Sequence, residues 1–252
     1  MLEIFILSLI QGITEFLPIS SSSHLILTSE YYAFKNQSLS IDVSLHIGSF
    51  IAVIVYFYKD IISFYENKII FLKILISSIP VMIVGFLLVE TNYIEKLRNI
   101  KVIAWTTILF GILLFVSDKF KLNRTLKKNF SFKSAIFIGL FQILSLIPGV
   151  SRSGIGITAA RLLKFNRVDS TKISFLLSIP ILGSVSIFGL RNLIISDNIN
   201  FSLLNIISII LSFIFSYITI KYFLNYIKKF NLNIFVYYRV LLGMFLIFLT
   251  YL

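Results

Sequence analysis

Apolar runs recur along almost the whole chain, and this feature limits its possible folds more than any other. Six runs are long enough to cross a bilayer as helices of about 20 residues: Ile41–Tyr58, Ile69–Val89, Ile100–Val116, Ile173–Leu193, Phe201–Tyr222 and Ile234–Leu252. Only 13% of the 252 residues are charged, too little polar surface for a water-soluble domain of this length. The expectation is a single all-α polytopic membrane domain rather than a soluble domain on an anchor. The chain has no cysteine, which excludes disulfides and thiolate-bound metals. Its two histidines, His24 and His46, lack zinc-binding spacing. The stretch Ile4 to Ile10 has no basic residue before it and no small-residue cleavage site, so it reads as retained structure rather than a signal peptide.

Two further apolar stretches are interrupted. Leu2–Ala33 is broken by Pro18 and four consecutive serines, Ser20 to Ser23; Ser134–Leu163 is broken by Pro148-Gly149 and by Ser151-Arg152-Ser153-Gly154. Each reads as helix, break, helix, with limbs too short to cross. Broken backbone at membrane depth needs protein or a wet cavity around it, because its freed polar groups must find partners. Both stretches are therefore expected to be re-entrant helical hairpins. The order is a hairpin plus three spans, twice: repeat 1 over about 1–117, a basic linker over about 118–133, and repeat 2 over about 134–252. Phe16–Ser20 (FLPIS) echoes Leu146–Ser151 (LIPGVS), a faint trace of that repeat.

The net charge of +12 would fit nucleic acid in a soluble protein. Here no soluble basic domain is left over, so the expected partners are anionic membrane lipids and not nucleic acid. With the loop Ser117–Lys133 placed in the cytoplasm, alternating spans put inside Lys119, Lys121, Arg124, Lys127, Lys128 and Lys133, together with Lys59, Lys68 and Lys73. Arg161, Lys164, Arg167, Lys172, Lys221, Lys228, Lys229 and Arg239 fall on the same side, while Lys35, Lys96, Arg98, Lys101 and Arg191 fall outside. The asymmetry follows the positive-inside rule. Three spans between the hairpins make them enter from opposite sides, an inverted-topology repeat whose breaks meet near the midplane.

The breaks hold what a membrane segment avoids: Glu15 and His24 in the first, Arg152 in the second. A Glu15–Arg152 salt bridge that only pins the hairpins is one reading; a catalytic site is the other. Gln11 and Glu15 lie four apart on one helix face, where they can bind a cation, position water or take a proton. His24 follows Ser20 and Ser21 by four and three residues, so either hydroxyl could meet its imidazole as an activated nucleophile. In the second break, Gly149 and Gly154 let backbone approach an anion, and a helix starting near Ser151 aims free N–H groups at it. Arg152 adds a fork suited to phosphate, with Ser151, Ser153 and Thr158 as hydroxyl donors. A lipid diphosphate suits such a site.

These motifs resemble the undecaprenyl-diphosphate phosphatase family of the bacitracin-resistance BacA/UppP type. Its acidic motif falls on Gln11 and Glu15, its serine–histidine continuation on Ser20, Ser21 and His24, and its PGxSRS motif on Pro148, Gly149, Ser151, Arg152 and Ser153. The resemblance extends over essentially the whole chain, including Leu45–Ser49 and Ser174–Pro180. Two positions depart from the commoner pattern: Gln11 stands where Glu is usual, and Gly156 where Thr is frequent. The resemblance implies hydrolysis of undecaprenyl diphosphate to the monophosphate on the outer side of the bacterial cytoplasmic membrane. That reaction recycles the lipid carrier of peptidoglycan synthesis and confers bacitracin resistance. It also implies a divalent cation, Mg²⁺ or Ca²⁺, held by Glu15 with Gln11 as a second candidate ligand. Ser21, or a water activated by Glu15 and His24, is the expected nucleophile. The competing class is a polyprenyl-phosphate transporter or flippase with the same anion site, since inverted repeats with broken helices also build transporters.

Overall fold

A computed structural model describes residues 1–32, 34, 38–91, 93–120, 124–195 and 202–251, and it contains no named strand among them. Ala33, Lys35, Lys121, Phe201 and Leu252, which bound or fall within segments read from the sequence, lie outside the described residues. The first half comprises α1 (Leu2–Thr14), α2 (Ser21–Tyr32), α3 (Leu39–Tyr56), a short α4 (Tyr58–Glu66), α5 (Lys68–Glu90), α6 (Tyr93–Leu97) and α7 (Ile100–Asp118). A connection carrying α8 (Leu126–Asn129) leads to the second half, α9 (Phe132–Ile143), α10 (Arg152–Leu162), α11 (Arg167–Ile195), α12 (Leu203–Lys229) and α13 (Asn233–Tyr251). Six of these, α3, α5, α7, α11, α12 and α13, are long and apolar enough to cross a membrane. They are the six runs read from the sequence, and the protein is a multi-pass membrane protein.

The remaining limbs stop short for local reasons. α1 has 13 residues and α9 has 12. At 1.5 Å per residue these reach about 20 Å, against roughly 30 Å of hydrocarbon. Pro18 and Pro148 disfavour helix at the residue before them. Each break then ends on a serine in the left-handed region, Ser20 at φ 73° and Ser151 at φ 71°, directly before the next helix. The faint FLPIS/LIPGVS echo thus marks two equivalent backbone turns. Gly149 has φ 93° and sits against α7, where any Cβ would collide with Thr106 and the Ile103 carbonyl.

Packing pairs the two halves. α1 lies along α12 and α9 lies along α5, while α3 packs on α11 and α7 on α13. Exchanging the halves converts the first pair into the second and returns the other two to themselves. Small residues make these approaches possible: Ser208, Ser212 and Ser216 recur four apart on one face of α12. Ser49 of α3 reaches Ser212 at 3.2 Å and Ser216 at 3.0 Å. Phe16 and Phe175 meet edge-on at 5.2 Å in the main core.

The ends that carry most lysines and arginines gather at one end of the bundle. Buried Asp118 pairs with Arg161 at 3.1 Å and Arg167 at 2.8 Å, Lys172 meets Asp60 at 2.5 Å, and Lys73 donates to the Phe130 carbonyl at 2.6 Å. From the sequence, Arg239 groups with the basic residues on the side of the loop Ser117–Lys133. It lies within α13, wholly buried, and belongs to no loop. A count of basic residues sees charge without burial, and Arg239 stands close enough to the end of its span to be counted with the loop.

Candidate active site

The two breaks meet each other. Ser153 Oγ donates to the Leu17 carbonyl at 2.7 Å, and the Gly149 amide donates to Ser20 Oγ at 3.3 Å. Between them lies a pocket of about 160 Å³. Its walls are Glu15 and Ser20 to Ser22 from the first break, Ser145, Ser151 and Arg152 from the second, His46 from α3, and an apolar side including Val81, Ile181 and Val185.

Glu15, buried just past the end of α1, organises this pocket. Its Oε1 is ion-paired with Arg152 Nη2 across the two breaks. Its Oε2 accepts from Gln11 Nε2 at 3.0 Å and from Ser21 Oγ at 2.5 Å. The i,i+4 spacing of Gln11 and Glu15 therefore becomes a direct contact, as one helix face requires. A short bond between hydroxyl and carboxylate gives Ser21 Oγ an acceptor for its proton.

His24 does not make the serine contact expected from spacing. Its Nδ1 lies 2.7 Å from the Ser20 carbonyl, and its Nε2 lies 2.6 Å from Tyr238 Oη. A carbonyl can only accept, so Nδ1 carries the proton and, in the neutral ring, Nε2 accepts from Tyr238. The carbonyl one turn back captures the ring, which leaves the Ser21 hydroxyl to Glu15. His24 thus fastens the start of α2 to α13.

A family model described as bacitracin resistance protein BacA matches residues 4–245. An undecaprenyl-diphosphatase of Pelagibacter ubique is 49% identical over 251 residues, covering 99% of this chain and 98% of that protein. The Saccharophagus degradans protein of that name is 44% identical over 94% of this chain and 93% of its own. The one from Aliivibrio salmonicida is 43% identical over 96% and 95%. The chain belongs to the BacA family.

The family's two motifs are thus brought together in one pocket, though their residues divide by task. Glu15, Ser20, Ser21, Ser151 and Arg152 line the cavity, and Gln11 stands directly behind Glu15. Ser153 is spent on the Leu17 carbonyl and on Ser151 Oγ at 3.2 Å. Thr158 bonds its own helix at the Gly154 carbonyl, 2.8 Å away and buried, and does not reach the cavity. Gly149 permits a close approach to α7, and Gly154 one to Arg239 Nη1. Position 156 faces Gln142 and Ser174, where a Cβ would come within 2.6 Å of either side chain.

Sequence reasoning missed three residues. His46 lines the pocket and its Nδ1 lies 3.1 Å from Gln11 Nε2; its only signal was a histidine within an apolar span. Tyr238 carried no signal at all. Arg239 donates from Nε to the Thr107 carbonyl at 3.1 Å, from Nη1 to Pro18 at 3.2 Å and from Nη2 to Gly149 at 2.8 Å. One guanidinium thereby ties both breaks to α7, and its buried charge favours an anionic guest nearby. Arg239→Met keeps the bulk and orphans three carbonyls, so it is expected to cost about 3 kcal/mol or more. Thermal unfolding in detergent measures this, with Arg239→Lys falling between wild type and Arg239→Met. A wild-type midpoint for Arg239→Met contradicts the clamp.

The divalent cation implied by the family can be tested against the donors present. No group of three or more His, Asp or Glu residues gathers among the described residues. Hard cations of the Mg²⁺ type need few protein ligands, however, and take water and substrate phosphate for the rest. Glu15 supplies a carboxylate, and Gln11 Oε1 is a buried acceptor with no hydrogen-bond partner among the described residues. Gln11 meets the carboxylate through Nε2, and its orphaned Oε1 is the second protein oxygen such an ion would take.

Proposed function

We propose that the pocket between the two breaks hydrolyses undecaprenyl diphosphate to undecaprenyl phosphate and phosphate, the activity for which its relatives are named. The observation that carries this reading is the 2.5 Å bond from Ser21 Oγ to the Glu15 carboxylate, opposite Arg152. A transporter needs an anion site but no hydroxyl poised on a base, so this contact favours chemistry over passage.

In this reading the terminal phosphate sits against Arg152 and the N-terminus of α10, capped by Ser151. Ser21 Oγ attacks the terminal phosphorus in line while Glu15 Oε2 takes its proton. The bond from that phosphorus to the bridging oxygen breaks, and undecaprenyl phosphate leaves with the electron pair. Water then attacks the Ser21 phosphoester, releases phosphate and restores the hydroxyl. A divalent cation held by Glu15 and Gln11 would supply further neutralisation of phosphate charge. The apolar side of the pocket excludes water from the carboxylate and strengthens these charge interactions.

Purified protein given a polyprenyl diphosphate is expected to release phosphate, and to lose that activity with chelator. Arg152→Lys keeps the charge but loses the fork, and is expected to drop turnover by about a hundredfold or more. Near-wild-type turnover of Arg152→Lys reduces the arginine to a pin between the hairpins.

The outer side of the bacterial cytoplasmic membrane is the proposed location of the pocket, with both broken segments re-entrant. The gathering of basic ends at one end of the bundle supports this orientation. The absence of cysteine makes it simple to test. Cysteines introduced at exposed Lys96 and Lys127 are expected to react with an impermeant thiol reagent from opposite faces. Reaction from one face overturns the arrangement.

A further inference from the structure

The catalytic pocket opens sideways into a furrow between α5 and α11. Val81, Leu146, Ile181 and Val185 line both cavities. Met82, Ser184 and Ile187 carry the furrow onward along the same two helices. Its walls are almost wholly apolar, as suits a surface turned to hydrocarbon. Phe64 and Leu176 then join it to a last cavity of about 440 Å³ at the basic end of the bundle. That cavity has a different character: Lys59, Lys127 and Lys172 line it, with Ser63 and Asn67, and Asp60 is its one carboxylate among the described residues. Lys172 is bonded to Asp60 at 2.5 Å, so the charge left over belongs to Lys59 and Lys127.

Hydrolysis uses none of the residues that line this last cavity. We infer that this cavity is a second lipid site, which holds the phosphate head of an anionic membrane lipid while one of its hydrocarbon chains lies in the α5/α11 furrow. Charge complementarity selects the head, since three ammonium groups facing one carboxylate suit a phosphate at the membrane surface. Lysine stems can lie along the apolar rim formed by Phe64, Leu126 and Leu176 while their ammonium groups reach the head. Continuity with the furrow selects the tail: a free phosphate, a nucleotide or an acidic peptide would leave that apolar channel without a partner. The inference stands on the furrow and the lysines, and is independent of the reaction at the other pocket.

The full chain in uncharged detergent is titrated with dioleoyl phosphatidic acid, dihexanoyl phosphatidic acid, dioleoyl phosphatidylcholine and inorganic phosphate, with bound ligand counted by native mass spectrometry. Dioleoyl phosphatidic acid is expected to bind saturably and at least about tenfold tighter than the other three. The triple variant Lys59→Gln/Lys127→Gln/Lys172→Gln should lose at least about tenfold in that affinity, and Arg152→Gln should lose none. Ser184→Phe obstructs the furrow midway and leaves the lysines intact, so it should bring the dioleoyl lipid down to the dihexanoyl level even if the triple variant misfolds. Equal binding of phosphatidylcholine removes the head site, and equal binding of the short-chain lipid or free phosphate removes the tail site. Undiminished affinity in a folded triple variant or in Ser184→Phe overturns the assignment. Loss of binding in Arg152→Gln moves the lipid to the catalytic pocket and does the same.

Discussion

Glu15→Gln is expected to lower single-turnover hydrolysis by at least about a thousandfold. The carboxylate accepts from Arg152, Gln11 and Ser21 together. An amide of the same shape has one acceptor and one donor, so its NH₂ must face at least one of those donors. Proton acceptance from Ser21 disappears, a loss of about 10²–10⁴ by itself. The carboxylate that would hold the cation disappears with it. Part of the damage is structural, since breaking a buried ion pair from one side costs on the order of 3–5 kcal/mol. Glu15→Gln/Arg152→Gln separates the two effects: removal of both charges should return much of the stability and none of the turnover. Glu15→Gln activity within tenfold of wild type would falsify the role given to the carboxylate.

The fold was legible in the sequence where hydrophobicity decides structure. All six spans and both breaks follow from apolar runs interrupted by proline, serine and charge, because a bilayer leaves the backbone few alternatives. The candidate site was legible where an ionisable residue interrupts an apolar run, which is why Glu15 and Arg152 stand out. Spacing was a poorer guide to pairing. Ser21 and His24 are close to one helical turn apart, yet the Ser20 carbonyl and Tyr238 hold the imidazole. Such partners come from another turn of backbone and from a helix 214 residues away, which no local pattern encodes. Arg239 shows the same limit. Its carbonyl partners belong to both breaks and to α7, and only the assembled bundle brings them within reach of one side chain. Thr158 bonds its own helix and Gly154 faces Arg239, a matter of helix phase that one sequence leaves open.

Ser21→Ala decides which oxygen attacks phosphorus. With Ser21 as nucleophile, the variant is expected to lose about four orders of magnitude or more in single-turnover rate while binding the diphosphate lipid within a fewfold of wild type. The 2.5 Å contact makes Ser21 and Glu15 one unit, so Glu15→Gln/Ser21→Ala should be little worse than either change alone. If water attacked instead, Ser21→Ala would lose only a polar contact, about 1–3 kcal/mol or ten- to hundredfold. His24 supplies an independent arm. Neither of its nitrogens is bonded to Ser21 Oγ, so His24→Ala should resemble Tyr238→Phe, with losses near those of a single hydrogen bond, about tenfold. A phosphate-release defect in His24→Ala as deep as that of Ser21→Ala, with no further loss in the pair, would make the imidazole the base and take that role from Glu15. Quenched reactions should also trap phosphate on Ser21 in acid, detectable by mass; its absence throughout a single turnover, alongside a mild Ser21→Ala defect, hands the attack to water.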